Sequence, residues 1–239
     1  FNRIVILHIF LEDGLNNFKS VSTNDQGVFR FTLDSSDKII GYLLVVNHKG
    51  IDYELEIAPD GRSTDNLELE ISNSWLTIWL NTPENRNALS NDMIDDFTSV
   101  FDKIRNERSI RGITFRGKDE MFCSGLDLKG IQSLIDNNAG KQDAIELSLK
   151  IGKFFQAVHT LPQVTIMIIE GAAIAGGLGL ASTGDVVITY DDAQFSLTET
   201  MIGLTPAQIS PYVISRVGQA TGKRLMLTAA RFTGLYAYE

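Results

Sequence analysis

The sequence has a single cysteine and three histidines, and this scarcity excludes several kinds of site. Cys123 has no second cysteine within the 239 residues with which to form a disulfide bond. This favours a reducing compartment, and we expect the cytoplasm. The histidines His8, His48 and His159 are far apart in the sequence, so no Cys/His spacing indicates zinc. We therefore expect no metal site.

Basic residues and long apolar runs are also scarce. The 21 Lys and Arg residues form no cluster and are outnumbered by 30 Asp and Glu, which gives a formal net charge of −9. This disfavours a nucleic-acid partner, because phosphate backbones bind basic patches. No apolar run approaches the ~20 residues of a membrane-spanning helix, so we expect no membrane partner. Because the sequence starts at Phe1, we expect it to be a piece of a longer protein.

Residues 1–63 are predicted to form a small β-rich unit. The apolar runs RIVILHIFL and KIIGYLLVVN are separated by turn-rich pieces, and IDYELEI at 51–57 alternates apolar and acidic residues. This pattern is typical of an antiparallel meander with one solvated face. We find nothing catalytic in this unit and interpret it as a module for packing or for binding a partner.

Residues 64–239 alternate predicted strands and helices, which is typical of an α/β fold with a largely parallel, buried sheet. Ser90 is the predicted N-cap of the first helix. The predicted strands are LELEI, WLTIWLN, GITFRG, VTIMIIE and VVITY. The predicted helices carry Met93, Phe97, Val100, Phe101 and Ile104, then Leu147, Ile151, Phe154, Phe155 and Val158, and finally the segment GKRLMLTAA.

The segment IAGGLGLASTGD at 174–185 places three glycines where a helix is predicted to begin. Each glycine there costs roughly 1 kcal/mol relative to alanine. The first N–H groups of a helix have no intrahelical partner, and the helix dipole makes this end partly positive. The spacing fits neither a dinucleotide fingerprint nor a P-loop. Two interpretations stay open on this stretch alone: close packing of helix and sheet, or close approach of a ligand to the backbone.

A second stretch, FCSGLDLKG at 122–130, also follows a predicted buried strand and turns at small residues. Two such strand-to-turn sites in one domain could direct two backbone N–H groups at one oxygen atom. That arrangement is an oxyanion hole.

Four ordered segments resemble the crotonase (enoyl-CoA hydratase/isomerase) family over residues 66–239. They are LNTPENRNALS, FCSGLDLK, EGAAIAGGLGLASTGDVVIT and AQFSLTETMIGLTPAQ. The resemblance implies a crotonase-type ββα spiral core preceded by the small β unit, with the family's C-terminal helices absent after RFTGLYAYE. It also implies an acyl-thioester substrate on coenzyme A or a carrier protein, no cofactor beyond the coenzyme A or phosphopantetheine of that substrate, and a trimer or dimer of trimers.

Carried over to this sequence, the resemblance assigns the oxyanion N–H groups to Leu126 and Gly176 and the acid–base role to Glu199. Hydratases of the family carry a further glutamate where this chain has Gly179, so Glu199 is expected to act alone. Asp127 is expected to be mainly structural, and Cys123 to be a packed residue. The adenosine end of coenzyme A is expected near Ser124 and the turn at residues 87–89. The residues expected to bind substrate are Ser124, Gly125, Ala88, Leu89, Asp127, Gly177 and Gly179.

Within the family, the sequence is most similar to the isohexenylglutaconyl-CoA and methylglutaconyl-CoA hydratases. We therefore expect a lyase that hydrates a branched, glutaconyl-type enoyl thioester. Arg86, Lys129 and Arg231 are the candidates to bind the distal carboxylate of such a substrate. The alternatives are a dehydratase acting on 3-hydroxy-3-methylglutaryl thioesters in polyketide β-branching, an enoyl-CoA isomerase or decarboxylase, and a non-catalytic crotonase-like scaffold.

Overall fold

A computed structural model describes residues 4–11, 16–22, 39–46, 64, 66–128 and 140–238, the first three ranges by their backbone alone. The chain divides into two compact units, residues 1–54 and 55–239. The predicted boundary, between 63 and 64, lies further along the chain. None of the helices in the described part combines the length and apolar character needed to cross a bilayer.

The first unit contains an antiparallel three-stranded sheet. Its strands are β1 (Ile4–Leu11), β2 (Asn16–Ser22) and β3 (Ile39–Val46), in the order β2-β1-β3. The antiparallel pairing is as predicted. The meander is wrong, because a meander places consecutive strands side by side and here β1 separates β2 from β3. The predicted strand at 51–57 lies outside the described residues.

The second unit is built on a five-stranded sheet in the order β4-β5-β6-β7-β9. The pair β4–β5 is antiparallel, and each of the other neighbouring pairs is parallel, which confirms the largely parallel sheet. The strands are β4 (Leu67–Ser72), β5 (Trp75–Leu80), β6 (Gly112–Gly117), β7 (Val164–Ile169) and β9 (Val186–Thr189).

Two long helices carry the predicted apolar stripes. In α1 (Asn91–Ile104), the Ser90 side chain accepts a hydrogen bond from the Met93 N–H at 3.1 Å, so the predicted cap is confirmed. In α2 (Lys141–His159), Ile151, Phe154 and Phe155 are buried. The rings of Phe97 and Phe154 lie 5.2 Å apart between centroids and join the two helices.

A second, smaller sheet joins the segments that form the candidate site. Its strands are β8 (Ala172–Ile174), β10 (Gln194–Ser196) and β11 (Phe232–Thr233), in the order β11-β10-β8. The pair β8–β10 is parallel. The other α-helices whose residues the structure describes in full are α3 (Gly176–Thr183), α4 (Ser210–Val217), α5 (Gln219–Thr228) and α6 (Gly234–Tyr238).

Candidate active site

The loop after β6 lies alongside β8 and brings the two glycine-containing stretches together. The N–H groups of Phe122 and Cys123 donate to the Ala172 carbonyl, and the Ile174 N–H donates to the Cys123 carbonyl at 2.9 Å. Cys123 and Ala173 thereby form a parallel bridge. The loop therefore runs in the same direction as β8, and both segments reach the site at the same edge.

At that edge, the backbone of Gly125 and Leu126 faces the start of α3. A methyl group built on Gly125, whose φ is +104°, would lie 3.2 Å from the Gly176 nitrogen. A methyl group built on Gly176 would lie 3.4 Å from the Leu126 nitrogen. Within the described part of the chain, neither the Leu126 N–H nor the Gly176 N–H donates to a protein acceptor. The structure therefore brings together the two donors assigned from the sequence.

The turn into α3 is made by Ala175, which we did not predict. Its φ of 50° and ψ of −121° are values that residues with a side chain rarely adopt. The Ala175 N–H donates to the Ser196 carbonyl at 2.8 Å, which holds the turn against the end of β10. Ala175 thereby sets the direction of the next N–H group, that of Gly176.

Gly177 packs against the loop that carries Leu126. A glycine directly after Gly176 predicts that the chain turns there, but the residue lies within α3 and the turn precedes it. A methyl group built on Gly177 would lie 2.1 Å from the Cys123 carbonyl oxygen. Position 177 therefore has no room for a side chain, because α3 packs directly on the backbone of the loop that carries Leu126.

The turn at residues 86–89 holds the other side of that loop. The Leu89 N–H donates to the Gly125 carbonyl at 2.7 Å, and the Asp127 N–H donates to the Leu89 carbonyl at 3.1 Å. The Ser124 N–H donates to the Arg86 carbonyl at 3.1 Å. These contacts place Ser124 and Leu89 at the site. Ala88 is buried, its N–H donates to the Asn85 carbonyl at 3.1 Å, and its carbonyl accepts from the Ser90 N–H at 2.9 Å.

Asn87 is a structural residue that the sequence did not reveal as such. It is fully buried with a φ of 52°, a conformation that asparagine adopts more readily than most residues. Its amide nitrogen donates to the carbonyls of Lys118 and Met121 at 3.0 and 2.6 Å, and its amide oxygen accepts from the Thr82 N–H at 2.9 Å. Asn87 thus fixes the turn at 86–89 and has no amide group left for a ligand.

Glu199 follows β10 and begins a 3-10 turn, Glu199–Ile202. Because β8 and β10 are parallel and Ser196 is bonded to Ala175, Glu199 and Gly176 leave the small sheet at the same edge. The Oε2 atom of Glu199 is buried and has no hydrogen-bond partner among the described residues. Desolvation by burial raises the pKa of Glu199 above its ordinary value, against a smaller opposite effect of its own backbone N–H.

The apolar residues near Glu199 in the sequence predict an apolar environment for its carboxyl, and the structure bears this out only in part. Phe195 and Leu197 are buried, but Met201 is 73% exposed and Ile202 is 55% exposed. The prediction is wrong for the last two residues because the 3-10 turn directs them outward. Glu199 therefore lies at a boundary between the core and solvent, where a carboxylate can exchange protons with a ligand.

Gly179 lies one turn along α3 from Gly176, and the space beside it is filled. A methyl group built on Gly179 would lie 2.1 Å from Cγ2 of Ile209, whose side chain is buried. No room is left there for a glutamate like the one expected at this position from hydratases of the crotonase family. The structure thus gives a packing reason for Gly179, whereas we expected it to bind substrate.

We expect Gly179→Glu to destabilise the protein without raising its activity. Overpacking against Ile209 should lower the free energy of unfolding by about 1–3 kcal/mol, measured by chemical denaturation. The double variant Gly179→Glu with Ile209→Ala has more room, so it should be more stable than the sum of the two single changes indicates. A Gly179→Glu protein as stable as the parent would contradict the contact with Ile209.

Cys123 is packed in the core, and Asp127 contacts Asn85. Cys123 is fully buried, and burial raises the pKa of its thiol to about 12, so the nucleophilic thiolate is strongly disfavoured. The Asp127 carboxylate lies 3.5 Å from the Asn85 amide nitrogen.

Among the residues expected to bind the distal carboxylate of a substrate, Arg86 and Arg231 are exposed, and Lys129 lies outside the described residues.

A cavity of about 40 Å³ opens behind Leu126, between α1 and α2. Most of its lining side chains are aliphatic, and Asn91 and Asp127 are the polar ones. It is lined by two of the residues predicted to bind substrate, Leu89 and Asp127, and by the predicted oxyanion residue Leu126. The lining residues are Leu89, Asn91, Ile94, Leu126, Asp127, Leu147 and Ile151.

Among the described residues, no group of three or more His, Cys, Asp and Glu side chains could hold a metal ion.

Comparison with known proteins gives a consistent result. The enoyl-CoA hydratase AFT6-1 of Alternaria alternata is 32% identical over 176 residues, which cover 74% of this chain and 55% of that protein. The bacillaene synthase dehydratase PksH of Bacillus subtilis is 30% identical over 142 residues, which cover 59% of this chain and 53% of that protein. The chain therefore spans about half the length of the curated relatives that it matches.

Solved structures agree with these relatives. Pseudomonas aeruginosa AtuE is 40% identical with a TM-score of 0.69, over 72% of this chain and 66% of that chain. An enoyl-CoA hydratase/isomerase from Marinobacter aquaeolei is 36% identical with a TM-score of 0.69, over 73% of this chain and 67% of that chain. Residues 70–239 match the model of the enoyl-CoA hydratase/isomerase family. The chain therefore belongs to this family, and its second unit has the α/β crotonase fold.

Proposed function

We propose that the protein hydrates an enoyl thioester, or dehydrates the corresponding 3-hydroxyacyl thioester. One observation carries the proposal: the free N–H groups of Leu126 and Gly176 meet at the edge of the small sheet from which Glu199 also emerges. Two donors at one point suit a thioester carbonyl that becomes an enolate oxygen. A partly buried carboxylate nearby suits proton transfer at the adjacent carbons.

In the hydration direction, Glu199 in its carboxylate form accepts a proton from water while the water oxygen bonds to the β-carbon. The electron pair of the double bond moves toward the carbonyl, whose oxygen becomes an enolate held by the N–H groups of Leu126 and Gly176. Glu199, now protonated, then gives this proton to the α-carbon, which restores the carbonyl, returns Glu199 to its carboxylate form and completes the 3-hydroxyacyl thioester. Since Gly179 and Ile209 leave no room for a second glutamate, Glu199 supplies the acid–base chemistry alone.

We propose a branched, glutaconyl-type acyl group as the substrate. The support is the sequence resemblance to hydratases of such thioesters, which includes glycine at position 179. The aliphatic cavity behind Leu126 suits the carbon chain. A distal carboxylate would need a cation from outside this cavity, and the exposed Arg86 and Arg231 are the described candidates. We further propose that the adenosine end of coenzyme A lies against Ser124 and the turn at 87–89.

A dehydratase in polyketide β-branching is the second candidate function. It is favoured by the similarity to PksH, which is named as a bacillaene synthase dehydratase. The two functions share the tertiary 3-hydroxy thioester and differ in its carrier, coenzyme A or a carrier protein. For either function we propose a cytoplasmic enzyme that needs no cofactor beyond the carrier group of its substrate and that forms trimers as a full-length protein.

The test is a panel of thioesters offered to the full-length protein, with Glu199→Gln as the inactive control. The panel contains crotonyl-CoA, 3-methylglutaconyl-CoA and a 3-hydroxy-3-methylglutaryl carrier protein, followed by enoyl absorbance and mass spectrometry. We expect the highest kcat/KM with 3-methylglutaconyl-CoA, and turnover of the carrier-protein substrate alone would favour the second candidate. Migration of the double bond or loss of CO₂ would indicate an isomerase or a decarboxylase. No turnover of any thioester would favour a scaffold.

A further inference from the structure

Helix α3 supplies the Gly176 N–H, yet its own sequence contains no charged residue with which to stabilise its ends. Its residues GGLGLAST are all buried, and neither its first nor its last turn carries a charge. The helix is eight residues long, or about 12 Å from end to end. A buried helix this short has little stability of its own, so its position depends on contacts made by other segments.

The carbonyl end of α3 is bound by side chains from two other helices. The Arg216 guanidinium, from α4, donates through Nε to the Ser182 carbonyl at 3.3 Å and through Nη2 to the Gly184 carbonyl. His159, the last residue of α2, has Nδ1 3.1 Å from the Thr183 carbonyl. Because a carbonyl can only accept, the proton of this bond belongs to Nδ1.

Arg216 is a largely buried cation that neutralises the negative end of the helix. Burial lowers the pKa of its guanidinium, and the charge of Asp185 opposes this effect. Such a group stays charged at all working pH values. A cation at the carbonyl end of a helix is favourable because the unpaired carbonyls there carry partial negative charge. The opposite, positive end of the same helix is the one that presents the Gly176 N–H.

We propose that Arg216 is a positioning residue of the oxyanion site, which acts through α3 with His159 as a second anchor. The two oxyanion donors belong to different segments, because Leu126 lies on the loop after β6 and Gly176 lies on α3. Their separation therefore depends on where α3 lies. Arg216 and His159 fix its far end, and the Ala175 turn fixes its near end. The inference rests on the proposed function only in that a thioester carbonyl binds at Leu126 and Gly176.

The test uses Arg216→Met and Arg216→Lys, with Arg108→Met as the matched control. Arg108 is exposed in the loop between α1 and β6. The readout is the absorbance shift of a bound cinnamoyl-CoA that carries an electron-donating ring substituent, because a polarised carbonyl shifts its absorption to longer wavelength. Turnover of the best substrate from the panel above and thermal unfolding are measured in parallel.

For Arg216→Met we expect the absorbance shift to fall by at least half and kcat to fall about tenfold, with KM changed less than twofold. Arg216→Lys keeps the charge but has a single donor nitrogen in place of the two that bind Ser182 and Gly184, so it should recover part of the shift. If Arg216→Met does not fold, Arg216→Lys and His159→Phe provide the same comparison, with smaller expected losses. Arg108→Met should match the parent.

A full absorbance shift in Arg216→Met, with a lowered melting temperature alone, would overturn the proposal and leave Arg216 a purely structural residue. The same holds if Arg216→Lys and His159→Phe both retain the parent's shift. Failure of the proposed function looks different. In that case the thioester binds to the parent protein with no shift at all, and the oxyanion assignment itself is then wrong.

Discussion

A Gly176→Val protein is expected to lose turnover by at least 10²–10³-fold while it remains folded. The first carbon of the new side chain would lie 3.4 Å from the Leu126 nitrogen, which is an ordinary contact distance, so the helix can accommodate it. The same carbon and its methyl groups would, however, cover the point where both N–H groups are free. Loss of a single oxyanion donor typically costs on the order of 10²–10³ in kcat, and this change obstructs both donors.

Gly177→Ala is the matched comparison for this prediction, since it adds a methyl group at the next position of the same helix. There the new carbon would lie 2.1 Å from the Cys123 carbonyl oxygen. We expect the free energy of unfolding to fall by about 1–3 kcal/mol, whereas Gly176→Val should leave it nearly unchanged. Denaturation curves and steady-state rates on both variants separate the two effects. Near-normal turnover of Gly176→Val would show that the oxyanion site lies elsewhere.

Gly176 and Gly177 show which features of the fold and the site could be predicted from the sequence alone and which could not. Short apolar runs predicted the five strands of the main sheet, and the helical spacing of apolar residues predicted the stripe on α1. Both patterns were visible because they depend on residues close together in the chain. That two N–H groups meet at one point was also accessible, because two strand-to-turn stretches occur in one domain, and the family resemblance assigned these groups to Leu126 and Gly176. The packing roles of Gly177 and Gly179 were not accessible, because they depend on contacts with Cys123 and Ile209.

The remaining differences also have physical causes. The strands β8, β10 and β11 have two or three residues each, which is too few for any alternation to be visible. The order β2-β1-β3 depends on pairing between distant residues, which composition does not encode. Nothing in the sequence around Asn87 or Arg216 indicates that their side chains bind backbone carbonyls inside the protein. Their roles become visible only when the backbone carbonyls that they bind, on distant segments, are brought together.

Replacement of Glu199 by glutamine is expected to lower kcat by about 10²–10⁴, the usual range for the loss of general acid–base catalysis. Glutamine keeps the size of the side chain but cannot titrate, so substrate binding should change little, and kcat and kcat/KM should fall together. Glu70→Gln is the matched control, because Glu70 is exposed on β4. If Glu199→Gln retains most of the activity, another residue transfers the proton, and Asp127 is the first candidate.

The pH dependence gives this prediction a sharper form. Burial raises the pKa of Glu199, and hydration requires its carboxylate form, so the rate should rise with pH through that raised pKa. The glutamine variant should lack this limb of the profile. Stability should respond in the opposite direction. A carboxyl with a raised pKa binds its proton more tightly in the folded protein, so its contribution to the free energy of unfolding falls as pH rises from below its ordinary value through the raised one.

At neutral pH the folded parent therefore holds a partly buried, charged carboxylate whose Oε2 has no partner among the described residues, and this lowers its free energy of unfolding. The glutamine variant has no charge at this position and avoids this loss. We expect Glu199→Gln to be at least as stable as the parent at pH 7 and to lose this advantage in acid, as measured by denaturation at several pH values. A gain in stability together with a loss of rate is what a residue kept for catalysis should show. A variant that loses both at neutral pH would instead identify Glu199 as a structural residue.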